Sequence, residues 1–450
     1  MDEAKHSLGV ILFPAFDWSI SPTHPEREER LLYTQDQLKE EGLFDIEGID
    51  EHKPGVATRE DVERTHFCFP EMEAVATRSH LVAAGGCITA ADLVAQGRAE
   101  KAFALVRPPG HHAMKVVHGS RGFCSINIEA VMIEHLRENH GKRRIAVVDT
   151  DCHHGDGTQD IYWNDPDVLF ISLHQDGRTL YPGTGFPTDC GGPKALGRTI
   201  NIPLPPGTSD EGYMMAMERV VMPILEHFKP ELVINSAGQD NHFTDPITNM
   251  NLTAQGYARL TELLQADIAV LEGGYAIQGA LPYVNLGICL SMAGLDYSGV
   301  REPGFDAVRH AQRPQIAEYL AKLCDTLPEV YFNPPSLSQA MAEGAGGGSI
   351  EREDGAEWFV RHKNIYYDTD SITEAQTESL LLCGACRGLL KVLSRSTKNP
   401  DCLGVEIPLD ACPACRQRGL ELYEEAQSRG GFRYTQLINR VDRQYLRHGF

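Results

Sequence analysis

The chain has 450 residues, against a typical domain of about 150, so one large domain or two unequal ones are expected. Apolar residues make up 42% and charged residues 23%, which excludes a collagen, a wholly disordered tail and a membrane protein. With 41 Lys+Arg against 63 Asp+Glu the net charge is −22, which argues against nucleic-acid binding across the whole face.

Met1-Asp2-Glu3-Ala4-Lys5-His6 has neither the basic stretch nor the apolar run of a signal peptide. No segment approaches the roughly 20 apolar residues that a bilayer span needs. Twelve cysteines are too sparse for a disulfide scaffold, and four of them form two Cys-x-x-Cys pairs near the C-terminus. A reducing, cytoplasmic protein is expected, with no membrane partner; a homo-oligomer is left open.

From residue 1 to about 335, short apolar runs alternate with longer amphipathic stretches, the βα rhythm of a mostly parallel sheet. Five such runs end in polar motifs. Ala102–Val106 leads into Arg107-Pro108-Pro109-Gly110-His111-His112, and Ile145–Val148 into Asp149-Thr150-Asp151-Cys152-His153-His154-Gly155-Asp156-Gly157. Val168–Ile171 leads into Ser172-Leu173-His174, Leu232–Ile234 into Ser236-Ala237-Gly238-Gln239-Asp240, and Ile268–Leu271 into Glu272-Gly273-Gly274-Tyr275. Continuous apolar runs suit strands buried on both faces, and the loops after their carboxyl ends form the ligand crevice of an open α/β sheet. The polar motifs are therefore expected to converge on one edge.

In an extended Asp-x-Asp-x-His run, Asp149, Asp151 and His153 share one side. Carboxylate oxygen and imidazole nitrogen are both zinc ligands, and a catalytic zinc takes three protein ligands, so Asp151 and His153 need a third, for which Asp240 is the candidate. His111 and His112 have Asp149 and Asp156 as prospective partners; a carboxylate on one ring nitrogen fixes the tautomer and raises the basicity of the other. Tyr275 follows two glycines that let the backbone bend sharply, and its hydroxyl is a candidate donor to a developing oxyanion. Met214, Met215, Met217 and Met222 read as core fillers on an amphipathic stretch. Cys68, Cys87, Cys124 and Cys152 show no base-paired nucleophile arrangement.

Residues 336–375 read as a linker and connecting segment, because Glu343-Gly344-Ala345-Gly346-Gly347-Gly348-Ser349 has a flexible composition. The last 75 residues (376–450) hold 11 Lys+Arg and 8 Asp+Glu while the preceding 375 hold 30 and 55, a charge shift that supports a boundary. Cys383, Cys386, Cys412 and Cys415 form C-x2-C-x25-C-x2-C, the spacing of a tetrahedral four-thiolate structural zinc site, with Cys402 as a spare ligand. Arg416, Arg418, Arg429, Arg433, Arg440, Arg443 and Arg447 read as a solvated helical face interleaved with Glu421, Glu424, Glu425 and Asp442.

Arg107–Ala113, Gly122-Phe123-Cys124, Asp149–Thr158, Ser172–His174, Pro182–Gly185, Gly238-Gln239-Asp240 and Glu272–Tyr275 occur in the order found in the histone deacetylase family. Residues 8–335 resemble its class II-like bacterial branch of zinc-dependent acyl-lysine deacetylases, and His24-Pro25-Glu26-Arg27 resembles an early signature of the same family. The resemblance implies an arginase/deacetylase-type, mostly parallel α/β sheet flanked by helices over residues 1–335, followed by a small four-cysteine domain over 376–450. It implies Asp151, His153 and Asp240 as ligands of a catalytic Zn2+, and His112 as general base and acid with His111 as its electrostatic partner. Asp149 and Asp156 would orient the pair, and Tyr275 would hold the oxyanion. Phe123 and Tyr181 would line a tunnel for the lysine stem, with Gly273 and Ile247 also at the substrate. Potassium would lie near Asp149, Asp151, His153, Ser172 and Leu173, and again at carbonyls near Tyr162, Asp165 and Val168.

The expected activity is hydrolysis of an acyl amide on a lysine side chain of a protein or peptide. The alternative is a small acylated amine, as in an acetylpolyamine amidohydrolase. Polyamine-preferring relatives place an acidic residue where this chain has Ile247, which favours lysine. A catalytically silent acyl-lysine scaffold would lack a ligand or the tyrosine, and this chain has them all.

Overall fold

The computed structural model describes residues 3–342 and 347–449; the glycine-rich stretch over 343–346 lies outside the described residues. The first 270 residues supply strands β1 (Glu3–Phe13), β2 (Glu47–His52), β3 (Phe67–Cys68), β4 (Lys101–Val106), β5 (Val116–Val117), β6 (Ile145–Asp149), β7 (Val168–Gln175), β8 (Thr199–Leu204), β9 (Leu232–Ser236) and β10 (Ile268–Val270). All but β3 and β5 form one eight-stranded sheet in the order β2-β1-β4-β10-β9-β6-β7-β8. Every ladder in it is parallel.

The period-2 alternation of these strands feeds two cores. Val10, Phe103, Leu105, Ala146 and Val148 pack into one layer, and Ile11, Ala104, Val106, Ile145 and Val147 into the other. Helices cover both faces, which is why the strands read as unbroken apolar runs. Met214 and Met217 are buried in the first layer, as core fillers should be.

The C-terminal part is a second sheet, built from β11 (Gly348–Glu353), β12 (Ala356–Tyr367), β13 (Ile372–Leu381), β14 (Leu390–Ser396), β15 (Cys402–Ile407), β16 (Tyr434–Asn439) and β17 (Gln444–His448). Its pairs are antiparallel except β15–β16, which run parallel because the helix Pro413–Arg429 crosses between them. That helix covers one face through Tyr423 and Ala426 against Leu403, Val405 and Leu437. The other face packs on the N-terminal part: Val392, Cys402, Tyr434 and Ile438 form a shared core with Phe67, Phe69 and Val116.

Two expectations are corrected here. Residues 336–375 are not a linker: they contain the helix Leu337–Ala342, all of β11 and β12, and the start of β13. The glycine-rich run masks β12, whose Arg361 and Lys363 are used in ion pairs with Asp160 of the first sheet's domain (3.1 and 2.5 Å). Nor do the arginines form one solvated face. Arg416, Arg418 and Arg429 lie on the helix, but Arg440 is nearly buried between Glu134 and Glu406. Arg387 bridges Asp165, Asp167 and Asp410. A guanidinium withdrawn from water in this way needs several carboxylates around it.

Candidate active site and metal centres

One register row levels the sheet's carboxyl edge: Ala104, Val270, Ser236, Asp149 and Ser172 lie side by side across β4, β10, β9, β6 and β7. The five loops leaving these strands therefore emerge together, as the apolar runs predict. The loop after β4 is fixed by Arg107, fully buried, whose Nε donates to Glu26 Oε1 at 2.6 Å. Glu26 also takes Arg30 Nη1 at 2.7 Å, and Arg30 Nε donates to the carbonyl of Gly274 at 2.8 Å. Glu272 Oε2 accepts the backbone N–H groups of Gly110 and His111 (2.6 and 3.0 Å). These contacts tie the histidine loop to the tyrosine loop.

His111 Nδ1 lies 3.1 Å from Asp149 Oδ2, and His112 Nδ1 lies 2.8 Å from Asp156 Oδ1. The two rings are adjacent, 4.1 Å between centroids. Burial opposes a charge on His111, yet Asp151 and Asp149 raise its pKa well above the usual 6.5. Burial and the His111 charge push His112 down to about 3, so it stays neutral. Asp156 also takes an ion pair from Arg121; burial works against its charge, but Arg121 and then His112 hold it well below the usual carboxylate range.

Asp151, His153 and Asp240 converge, with donor atoms all within 4.8 Å of one another. His153 Nδ1 is 2.9 Å from Asp240 Oδ2 and 3.2 Å from Asp151 Oδ1. Each carboxylate is aimed by backbone N–H groups: Gly273 donates to Asp151 Oδ2 at 2.6 Å, and Cys152 to Asp240 Oδ1 at 2.7 Å. A Cβ on Gly238 would collide with Asp151, and one on Gly273 with Asp240. Burial and the neighbouring Asp151 raise the Asp240 carboxyl. Two carboxylates and an imidazole in so dry a pocket suit one divalent cation, and the donor types suit zinc.

Tyr275 is 7% exposed, and its backbone N–H donates to Asp245 Oδ2 at 2.8 Å. Burial raises its phenol well above 10, so the hydroxyl stays a donor. Phe123 stands edge-on to the Tyr275 ring (5.5 Å, 85°), and Tyr181 edge-on to His112 (5.2 Å, 82°). The two expected wall residues thus stand against different members of the site, Phe123 on Tyr275 and Tyr181 on His112. Ile247 lies on the loop after Asp240, its N–H on Asp245 Oδ1 at 3.0 Å, so one carboxylate spans the Ile247 and Tyr275 loops.

The residues named for potassium have protein partners. Ser172 Oγ pairs with His174 Nδ1 (2.9 Å), and Tyr213 donates to the Leu173 carbonyl at 3.2 Å. The carbonyls of Tyr162 and Asp165 accept from Asp165 and Val168, and Arg137 lies over the Tyr162 ring.

Cys383, Cys386, Cys412 and Cys415 form a second cluster, while Cys402 is buried in β15, away from it. Ala385 N–H and Gly388 N–H donate to the sulfurs of Cys383 and Cys386 (3.3 Å each); chiefly the first of these lowers Cys383 to about 6, while burial raises Cys386 and Cys415. Amides aimed at sulfur favour thiolates, which is what a four-thiolate metal site requires. A third cluster, Asp92 with His135 and His140, was not foreseen; both imidazoles sit on the same carboxylate oxygen (2.9 and 2.7 Å), as in an ordinary ion pair.

Sequence reasoning gave no role to Arg30, Arg107, Asp245 or Glu272. Arg107 and Glu272 stood inside quoted motifs, and the signal available was a charged residue next to an apolar strand end.

The description "Histone deacetylase domain" matches residues 67–285 of the chain. A probable deacetylase of Archaeoglobus fulgidus is 50% identical over 311 residues, covering 63% of this chain and 85% of that protein. A histone deacetylase-like amidohydrolase of Pseudomonas aeruginosa is 37% identical, covering 55% of this chain and 69% of its own length. The acetoin utilization protein AcuC of Bacillus subtilis is 32% identical, covering 70% and 86%. Among solved structures, the crystal structure of the HDA15 HD domain superposes with a TM-score of 0.61 at 28% identity, covering 75% of this chain and 98% of that one. Among the described residues, no helix is long and apolar enough to cross a membrane.

Proposed function

Since the chain belongs to the histone deacetylase family, we propose that it is a zinc-dependent amidohydrolase that removes an acetyl or related acyl group from the side-chain amide of lysine. The observation that carries this is the meeting of three parts at one strand edge: the Asp151–His153–Asp240 cluster, the carboxylate-backed histidine pair and Tyr275. A zinc ion held by the cluster would supply Lewis-acid polarisation of the acyl carbonyl and a more acidic water.

His112 is neutral and its Nδ1 is tied to Asp156, so Nε2 is the free base. It takes the proton of the attacking water and later delivers it to the departing lysine amine. His111, charged and held by Asp149, adds positive charge beside the developing oxyanion. The Tyr275 hydroxyl donates a hydrogen bond to that oxyanion. Phe123 and Tyr181 grip the methylene stem from two sides, and an apolar Ile247 suits a substrate without a second ammonium group.

The potassium sites implied by the resemblance remain part of this proposal, at Asp149, Asp151, His153, Ser172 and Leu173 and at Tyr162, Asp165 and Val168. So does a structural zinc on the four cysteines. Metal content, read by mass spectrometry of the native protein, tests both. Cys68, Cys87, Cys124 and Cys152 are buried thiols outside any disulfide, which suits the reducing cytoplasmic setting proposed for the protein.

The test is hydrolysis of an acetyl-lysine peptide beside acetylputrescine by zinc-loaded protein. Peptide turnover supports the lysine reading. Turnover of acetylputrescine alone moves the protein to the polyamine reading. Failure on both, with zinc bound, overturns the acetyl specificity.

A further inference from the structure

The turn that carries Phe123 has an unusual backbone. Arg121 and Cys124 exchange both N–H···O bonds at 2.9 Å, closing a two-residue turn whose central residues, Gly122 and Phe123, have φ of +53° and +70°. Glycine takes that conformation freely, but phenylalanine does so at a cost, and such a residue persists only where its surroundings over-determine it.

The Phe123 ring packs against His24 (4.3 Å) and Tyr275, but the rest of the turn is held from the other end of the chain. The four residues Asp368–Ser371 between β12 and β13 form a hairpin tip that rests on this turn. The Asp368 carboxylate accepts the Gly122 N–H at 3.1 Å and the Tyr181 hydroxyl at 2.7 Å, so one group touches the turn of one tunnel wall and the ring of the other. Asp370 Oδ2 accepts the Ser120 N–H at 2.6 Å, and Arg121 Nη1 donates to the Tyr366 carbonyl at 3.0 Å. The hairpin is itself anchored. Met114 packs with Ile365, Tyr367 and Ile372, and the Tyr367 hydroxyl donates to the Val116 carbonyl at 2.9 Å.

We propose that the tip of the C-terminal hairpin, through Asp368, is a clamp that sets the width of the active-site mouth, making Asp368 a positioning residue for substrate entry and grip. This deepens the deacylase function proposed above and rests on it. Asp368 touches no reacting group. It acts through Phe123 and Tyr181, which would hold the substrate stem alike in the ground state and the transition state. Loss of uniform binding of that kind raises KM and leaves kcat unchanged. The C-terminal sheet is thereby a working part of the tunnel, not a passenger.

The test compares wild type, Asp368→Ala and Asp368→Asn in the full zinc-loaded chain, by acetyl-lysine peptide kinetics and by hydrogen exchange of the segment 119–124. Removing a charged acceptor shared by two donors should raise KM by about tenfold with kcat nearly constant, and speed exchange at the Gly122 amide by about tenfold. Asparagine keeps an acceptor oxygen and should restore most of both. Unchanged exchange in Asp368→Ala overturns the clamp, whatever the activity. A fall in kcat at constant KM also overturns it, because Asp368 would then act on the chemistry. If wild type turns over no acyl-lysine substrate, the proposed function fails, while the exchange experiment still decides the clamp.

Discussion

Gly404 in β15 lies flat on the ring of Phe67, and that contact predicts a measurable coupling between the C-terminal sheet and the β3–β5 pair. A Cβ on Gly404 would stand 2.9 Å from three ring carbons of Phe67, which is itself 0% exposed. Gly404→Ala must therefore displace the ring or spread the shared core, at a cost of about 1–3 kcal/mol. Phe67→Ala empties a ring-sized space among Val116, Val392, Cys402 and Tyr434, at about 3–5 kcal/mol. In the double variant the new methyl group projects into the vacated space, so the alanine at 404 should cost almost nothing there. The expected interaction energy is about 1–3 kcal/mol, well above the ~0.5 kcal/mol scatter of independent sites. Urea unfolding of wild type, both single variants and the double variant, at constant zinc, measures it. Additive costs, or a Gly404→Ala variant as stable as wild type, would refute the packing argument.

Tyr275→Phe should retain zinc and lower kcat by about 10²–10³, the usual cost of removing one oxyanion donor; peptide kinetics beside metal analysis check it. If both proposed zinc sites are filled, Cys412→Ser should lose one ion and lower the melting temperature, whereas Asp240→Asn should lose the other with a smaller change in melting. At the junction between the sheets, burial would raise the Glu406 carboxyl, but Lys115 and Arg440 hold it to about 2 against an ordinary 4.5. A depressed carboxylate contributes stability that is full above pH 4.5 and lost as the pH falls toward 2. That amounts to roughly 3 kcal/mol, and thermal melts between pH 5 and 2 should show it in wild type and not in Glu406→Gln.

The site was more legible than the domain that closes it. Asp149, Asp151, His153 and Asp240 follow apolar strand ends, and a parallel sheet brings such ends together without further information. The five apolar runs correspond to β4, β6, β7, β9 and β10, because strands buried on both faces need an unbroken hydrophobic sequence. What escaped was the polar scaffolding. Arg30 reaches Gly274 across 244 residues of sequence, and nothing local announces such a partner. The glycine-rich run over 343–349 makes 336–375 read as a connection, and it masks β12, whose Arg361 and Lys363 find their partner in Asp160 far back in the chain. Asp368 went unnoticed for the same reason: an aspartate in a turn is ordinary until the turn is seen to rest on Gly122.

The shared core also has a consequence during synthesis. Phe67, Phe69 and Val116 belong to the first third of the chain, and their apolar partners run from Val392 to Ile438. At a translation rate of roughly 5–20 residues per second, the ~100 residues after Ala342 take about 5 to 20 s to emerge. Through that interval the nascent β3–β5 pair presents an aromatic patch to water. A ribosome pause or a truncating mutation in the last quarter of the gene should therefore create a chaperone client, although every residue of the proposed metal cluster, histidine pair and tyrosine has already been made.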